Sequence, residues 1–175
     1  GQGVLFITRL LAESAIGKGL PVLASETHGM AQRGGTVLSH LKAGGFSSPL
    51  IRPACADGLI LLKEENLVQH RFYLKKGGWI VMNAKAAAPD LGGAVDASIH
   101  LVDADTLSEQ LGNYQSLNLI VLGFAAARLA AADSGFFCAP GDITALLQMK
   151  FAKREGLLKS ALQAFDTGAE CGGKE

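Results

Sequence analysis

The chain has 175 residues, enough for one domain with a sizeable core. Lys and Arg number 16 and Asp and Glu number 16, so no global field exists to attract nucleic acid or an anionic membrane. Charged residues make up only 18%, against roughly 25% in ordinary soluble domains; this fits either a surface partly covered by another chain or a plain Ala- and Gly-rich domain.

Val4, Ile7, Leu11 and Ala15 share one helical face, which Gly17 and Gly19 end and Pro21 keeps from resuming. A glycine turn opening a helix normally follows a strand, so a strand before Gly1 is expected. Pro21 to Ser25 reads as a short buried parallel strand, and Glu26 to Gly35 as a polar loop. Thr36 to Leu41 alternates only weakly, with Val37, Leu38 and Leu41 apolar, and reads as a strand. Ser48 to Ile51 reads as a second strand of a hairpin-like excursion bent at Gly44-Gly45. Gly58 to Leu62 is a further apolar strand.

Glu64 to Leu74 has a helical pattern with acidic residues first and basic residues last, which suits the helix dipole; Gly77-Gly78 is its expected end. Trp79 to Met82 and Ile99 to Val102 read as strands, with residues 84–97 as loop between them. Asp103 or Asp105 would cap a helix through Leu111. Leu117 to Ala132 reads as a buried helix, too short for a membrane span and interrupted by Asn118 and Arg128. Asp142 would cap a helix through Phe151, and Glu155 to Thr167 would form the last, with Cys171 to Glu175 frayed. Short strands alternating with helices predict one doubly wound, Rossmann-like α/β domain over residues 1–175, with a mainly parallel sheet flanked by helices.

The three cysteines, Cys55, Cys138 and Cys171, are scattered. They form no Cys-x-x-Cys pair, which excludes a four-cysteine iron–sulfur site or a zinc spacing within this sequence. An odd count without a signal peptide points to the reducing cytoplasm.

Gly1-Gln2-Gly3 would present free N–H groups at a helix N-terminus, an anion site in principle, or simply a tightly packed turn. A Walker loop is excluded, and a dinucleotide fingerprint would need glycine at Phe6, although Glu26 stands at the spacing of a ribose-binding acid. The segment Ser25 to Gly35 follows a strand end, where ligands gather in open α/β sheets. It offers His28 as a proton-transfer candidate or loop anchor, and Arg33 as an anion clamp or interface cation. It also offers Gln32, the hydroxyls of Ser25 and Thr27, and Gly34-Gly35 for close backbone approach. Asn83, just past a strand end, is a candidate for the site rim. His40 is read as facing a partner or as an edge-strand surface residue, and His70 as a helix-end dipole contact.

The run SETHGMAQRGGTVLSHLKAG, with Gly1-Gln2-Gly3 before it, resembles the gamma domain of 2-oxoacid:ferredoxin oxidoreductases. The HGMAQRGG form is similar to that of the indolepyruvate branch, whose small subunit is called beta. The likeness extends from Gly1 through Leu117 to Ala132. It departs at the opening, where only the last three residues of Gly-x-Gly-Gly-Gln-Gly stand, and at Lys42, where relatives often carry arginine.

The resemblance implies a subunit of a complex that oxidatively decarboxylates a 2-oxoacid, such as indolepyruvate or another aryl pyruvate, to an acyl-CoA while reducing ferredoxin. It implies thiamine diphosphate, magnesium and 4Fe-4S clusters in a partner catalytic chain and none bound by this chain alone. Coenzyme A would meet a shared surface around Gly1–Gly3 and Ser25–Gly35, and ferredoxin would be reached only indirectly. Self-association of the isolated chain is left open. Two other classes compete: a stand-alone NAD(P)- or flavin-binding oxidoreductase, motivated by Gly1–Gly3 and Glu26, and a non-enzymatic assembly or regulatory protein on the same fold.

Overall fold

The computed structural model describes residues 3–28, 36–85 and 96–174, apart from the His28 side chain. Its parallel sheet has the order β3-β4-β5, built from β3 (Ala56–Leu61), β4 (Leu74–Asn83) and β5 (Ala97–Val102). In register, Leu59, Ile80 and Ile99 pair across it, as do Ile60, Val81 and His100. Side chains alternate between faces. Ile60, Trp79, Val81 and Val102 therefore join the main core, while Leu59, Leu61, Ile80 and Met82 form a second cluster with Leu67 and Leu74.

The main core is organised by α4 (Leu117–Ala131), which is buried along most of its length. Around it lie α1 (Val4–Gly17), α3 (Ala104–Gln110), α5 (Pro140–Phe151) and α6 (Glu155–Gly172). The tightest packing joins α4 to α6. A Cβ on Gly168 would overlap the Ile120 carbonyl oxygen, and one on Gly123 would overlap that of Phe165. Glycine here permits backbone-to-backbone approach. With the 3-10 turn at Tyr114–Ser116, the stretch Tyr114–Ala131 reaches 18 residues and is apolar enough to cross a membrane, but 67% of it is buried inside the fold. A buried core helix has this property without any membrane.

A separate two-stranded antiparallel sheet pairs β1 (Val22–His28) with β2 (Val37–Ala43). Its register runs from Val22 opposite Ala43 to His28 opposite Val37. The chain is thus an α/β domain with a parallel and an antiparallel sheet flanked by helices.

Several expectations need correction. The segment at Pro21 to Ser25 is neither parallel nor buried. Its polar continuation Ser25-Glu26-Thr27 belongs to the same strand, and Ala24 and Glu26 are exposed on it. A short apolar run does not by itself distinguish a buried strand from a hairpin arm. Ser48 to Ile51 forms no strand. Pro49 and Pro53 interrupt any ladder, and the Ile51 N–H donates to His40 Nδ1 at 3.2 Å instead.

The helix expected over Glu64 to Leu74 shrinks to α2 (Asn66–His70) followed by a 3-10 turn at Arg71–Tyr73. The carbonyls of Phe72 and Tyr73 accept from Ala54 and Cys55 N–H, and Leu74 already begins β4. Gly77-Gly78 therefore lies within a strand. Asp142 is not the cap of α5 but its third residue, reaching back to accept the Ala139 N–H at 2.8 Å. Pro140 takes the first helical position, where its missing N–H costs nothing. Finally, α6 runs on to Gly172, so Cys171 and Gly172 are helical.

Candidate functional site

A cavity of about 620 Å³ opens between α1, β2, α2 and the carboxyl end of β3. Its floor is apolar, with Val4, Ile7 and Leu11 from α1, Leu41 from β2 and Leu59 and Leu61 from β3. Polar side chains share the wall, among them Thr8, Thr36, Ser39, Lys63, Asn66 and His70. A cleft with an apolar floor and polar groups on its wall, at the carboxyl end of a parallel strand, is where an α/β domain places a ligand. Thr8 Oγ1 donates to the Val4 carbonyl, so it is already engaged. Ser39 Oγ and His70 Nε2 are buried and find no hydrogen-bond partner among the described residues.

Of the residues singled out in the sequence, Gly1, Gln2, Gln32, Arg33, Gly34 and Gly35 lie outside the described residues. Gly3 is the N-cap of α1 in the left-handed conformation, φ 80°. Its carbonyl accepts the N–H groups of Phe6 and Ile7 and, at 3.4 Å, the side-chain amide of Asn118. A Cβ at Gly3 would run into that amide. Both facts require glycine. Ser25 and Thr27 sit on β1 opposite His40 and Leu38, with Thr27 exposed. His28 closes the same strand opposite Val37, its side chain outside the described set. Thr36 to Ser39 on the facing strand line the cavity, so the hairpin brings this part of the motif to the cleft.

Asn83 stands apart on β4, 5% exposed. Its amide donates to the Leu62 carbonyl at 3.3 Å and to Asp105 Oδ2 at 2.8 Å, and its oxygen accepts the Ala104 N–H at 2.9 Å. It braces the carboxyl ends of β3 and β4 against the start of α3. Asp103 caps that helix, accepting from Thr106 N–H and Oγ1–H. The Thr106 N–H holds the Asp103 carboxyl below its ordinary value.

Sequence reasoning missed the aromatic cluster under the hairpin. His40 is not a surface residue; it is 5% exposed and lies edge-on to Tyr73, centroids 5.1 Å apart. Tyr73 in turn meets Phe72 at 4.2 Å and His70 at 6.5 Å. Burial lowers the His40 pKa from 6.5, and Lys42 and His70 lower it further. Burial lowers His70 as well. Neutral His40 accepts from Ile51 at Nδ1, leaving its proton on Nε2. The strand period offers the one signal for this: His40 shares a face with the apolar Leu38, not with Ser39.

Glu26 is exposed on an antiparallel hairpin arm rather than at the end of a parallel strand beside Gly3. Among the described residues no group of His, Cys, Asp and Glu could hold a metal ion.

Residues 1–171 match the family model described as pyruvate ferredoxin/flavodoxin oxidoreductase. The chain belongs to that family. It is similar to the indolepyruvate oxidoreductase subunit IorB of Archaeoglobus fulgidus, 30% identical over 140 residues, covering 70% of each chain. Its fold is shared with a keto/oxoacid ferredoxin oxidoreductase gamma subunit from Geobacter sulfurreducens, with a TM-score of 0.72 and 19% identity over 98% of this chain and 92% of that one. It is shared too with a 2-oxoglutarate:ferredoxin oxidoreductase from Magnetococcus marinus, solved with 2-oxoglutarate, coenzyme A and succinyl-CoA bound. There the TM-score is 0.77 at 20% identity; the match covers 98% of this chain but 29% of the longer one. Within the family this chain is a small accessory subunit of the beta/gamma type.

Proposed function

We propose that this accessory subunit forms one wall of a 2-oxoacid:ferredoxin oxidoreductase and carries no turnover of its own. The match over residues 1–171, together with the HGMAQRGG run, supports this reading most strongly. In it, thiamine diphosphate, magnesium and 4Fe-4S clusters belong to the catalytic partner chain, which alone passes electrons to ferredoxin. The substrate is an aryl pyruvate such as indolepyruvate, a reading supported by the similarity to IorB. The whole assembly is cytoplasmic, and the chain acts as a single, doubly wound gamma-type domain. Helices on the main-core face of the parallel sheet and α2 on the other favour that description.

The cavity between α1 and β2, whose β2 wall pairs with the strand that carries Ser25, Thr27 and His28, is the part we assign to the coenzyme A side of the complex. Its apolar floor suits an aliphatic arm, and Lys63 and the hydroxyls of Thr36 and Ser39 suit polar groups along it. Gly1, Gln2, Gly3, Gln32, Arg33, Gly34 and Gly35 complete that surface in this reading, with His28 held as loop anchor or proton-transfer group. Asn83 supports the surface from behind through Leu62, which also lines the cavity.

The test is reconstitution of the purified catalytic chain with and without this subunit. Alone, this chain should not oxidise indolepyruvate. Added to the catalytic chain, it should restore acyl-CoA formation and lower the coenzyme A concentration needed for half-maximal rate. Full activity and unchanged coenzyme A dependence without it would refute the proposal.

A further inference from the structure

We propose that Asn118 is a positioning residue for the glycine turn that opens α1, an inference that rests on the coenzyme A surface assigned above. Asn118 is 7% exposed, and its neighbours Leu117, Leu119, Ile120, Val121 and Leu122 are buried apolar side chains. Leucine is similar in size and would cost less to bury there, so the amide calls for a reason. Half of the reason is local. Its Oδ1 accepts the Leu119 N–H at 2.9 Å, one of the donors that the first turn of α4 leaves without a helical partner. An aspartate oxygen would serve that purpose as well. The other half lies at the start of the chain. The amide Nδ2 donates to the Gly3 carbonyl at 3.4 Å, a long contact backed by a steric one. A Cβ on Gly3 would stand 2.2 Å from Nδ2, so the amide fills the notch that glycine leaves.

This contact ties the glycine turn to the core. Among the described residues the Gly3 carbonyl otherwise accepts only from Phe6 and Ile7 of its own helix. Asn118 is thus the one hydrogen-bonding group outside α1 that reaches this N-cap within that set. What it holds in place matters to the cavity. Gly3, left-handed at φ 80°, sets the direction in which α1 starts, and Val4, Ile7, Thr8 and Leu11 follow as the α1 wall. A shift of Gly3 would carry the glycine turn and the start of that wall together. Asn118 does not itself line the cavity, so it acts on a ligand there through Gly3 and α1.

The test is the reconstituted complex carrying Asn118→Asp. The carboxylate keeps an oxygen for the Leu119 N–H, and α4 has no acid of its own in the first turn, so the start of the helix stays supported. What is lost is the donor, and an oxygen now faces the Gly3 carbonyl. The coenzyme A concentration for half-maximal rate should rise about tenfold over wild type, the upper end of what one hydrogen bond contributes. The rate at saturating coenzyme A should stay within about twofold. Asn118→Leu, which loses both contacts, should raise the coenzyme A requirement at least as far. A purely structural role predicts the opposite pattern: a lower melting temperature and less assembled complex, with the coenzyme A dependence of what does assemble unchanged. That result overturns the proposal, and so does a failure of both variants to fold. If the wild-type subunit itself leaves the coenzyme A dependence unchanged, the function proposed above falls and this inference with it. If the wild type lowers that dependence and both variants match it, only the positioning role of Asn118 falls.

Discussion

The α4–α6 pair and the β1–β2 hairpin hold themselves together by different means. Between the two helices, contact is made by glycine, alanine and backbone, with Ile120, Ala164 and Phe165 fully or almost fully buried. The hairpin buries little; its β1 arm has no fully buried residue among those described, and its β2 arm has one, His40. It is fixed by ladder hydrogen bonds, by the Gly44 N–H to the Pro21 carbonyl, and by the His40–Ile51 contact. Close packing makes the first region intolerant of volume. Hydrogen bonding makes the second sensitive to protonation while leaving its surface open to partners.

Adding one methyl group inside the helix pair tests the first half of that contrast. In an exposed helix, Gly→Ala stabilises by about 1 kcal/mol. At Gly168 the sign should reverse, because the new Cβ meets the Ile120 backbone and cannot rotate away. Gly168→Ala should cost about 3 kcal/mol in urea denaturation. A stabilised variant would show that the helices separate easily and that the contrast is false. Next in size is Asn83→Leu, which strands the Ala104 N–H and removes both donors from Leu62 and Asp105. A loss of about 2 kcal/mol is expected, measured the same way.

The hairpin should respond to pH instead. His40 titrates below its ordinary 6.5 in the folded chain, first because it is buried and then because Lys42 and His70 lie near. The unfolded chain therefore binds more protons in this window, and stability rises with pH. The contribution is fully present above 6.5 and is lost as pH falls below it, by at most about 1.4 kcal/mol per pH unit for one proton. His70, lowered by burial, and His100, lowered by burial and then Arg128, act in the same direction. His40→Asn places an amide oxygen where Nδ1 accepts the Ile51 N–H. It should flatten part of the pH slope in thermal melts between pH 7 and 5, and an unchanged slope would remove His40 from the account.

The same contrast explains what the residues revealed in advance. Helices α1 and α4, and the strands of the parallel sheet, were legible because sustained apolar patterns bury a face and terminate at recognisable turns. The hairpin was not, because PVLAS reads equally as a buried strand, and only the position of β2 decides its partner. The shortening of α2 depended on Ala54 and Cys55 claiming distant carbonyls, which no local pattern records. The last helix was ended too early, at Thr167; Gly168 and Gly172 lie within α6 and serve close approach. At the cavity, Thr36 to Ser39, which follow the glycine-rich run in sequence, form part of the wall. The role of Asn83 as a brace was hidden because its three partners come from β3 and α3.

The smallest predicted effect lies at the base of the hairpin, where Lys18, the C-cap of α1, precedes β1. Its ammonium pairs with Asp142 at 2.7 Å and donates to the Phe137 carbonyl at 2.6 Å, joining α1 to the start of α5. Burial alone would raise the Asp142 pKa, but the Lys18 and Ala139 hydrogen bonds outweigh it and the net shift is downward. That carboxylate's contribution is therefore present above its ordinary 3.8 and lost as pH falls through its lowered value. Both side chains are about a third exposed, so water and salt screen the pair. Lys18→Met should cost about 0.5 kcal/mol, shrinking further at high salt. Asp142→Ala should cost more, because it also leaves the Ala139 N–H without its acceptor. Equal losses for the two variants would place the stabilisation in the ion pair alone and deny Asp142 its part in starting α5.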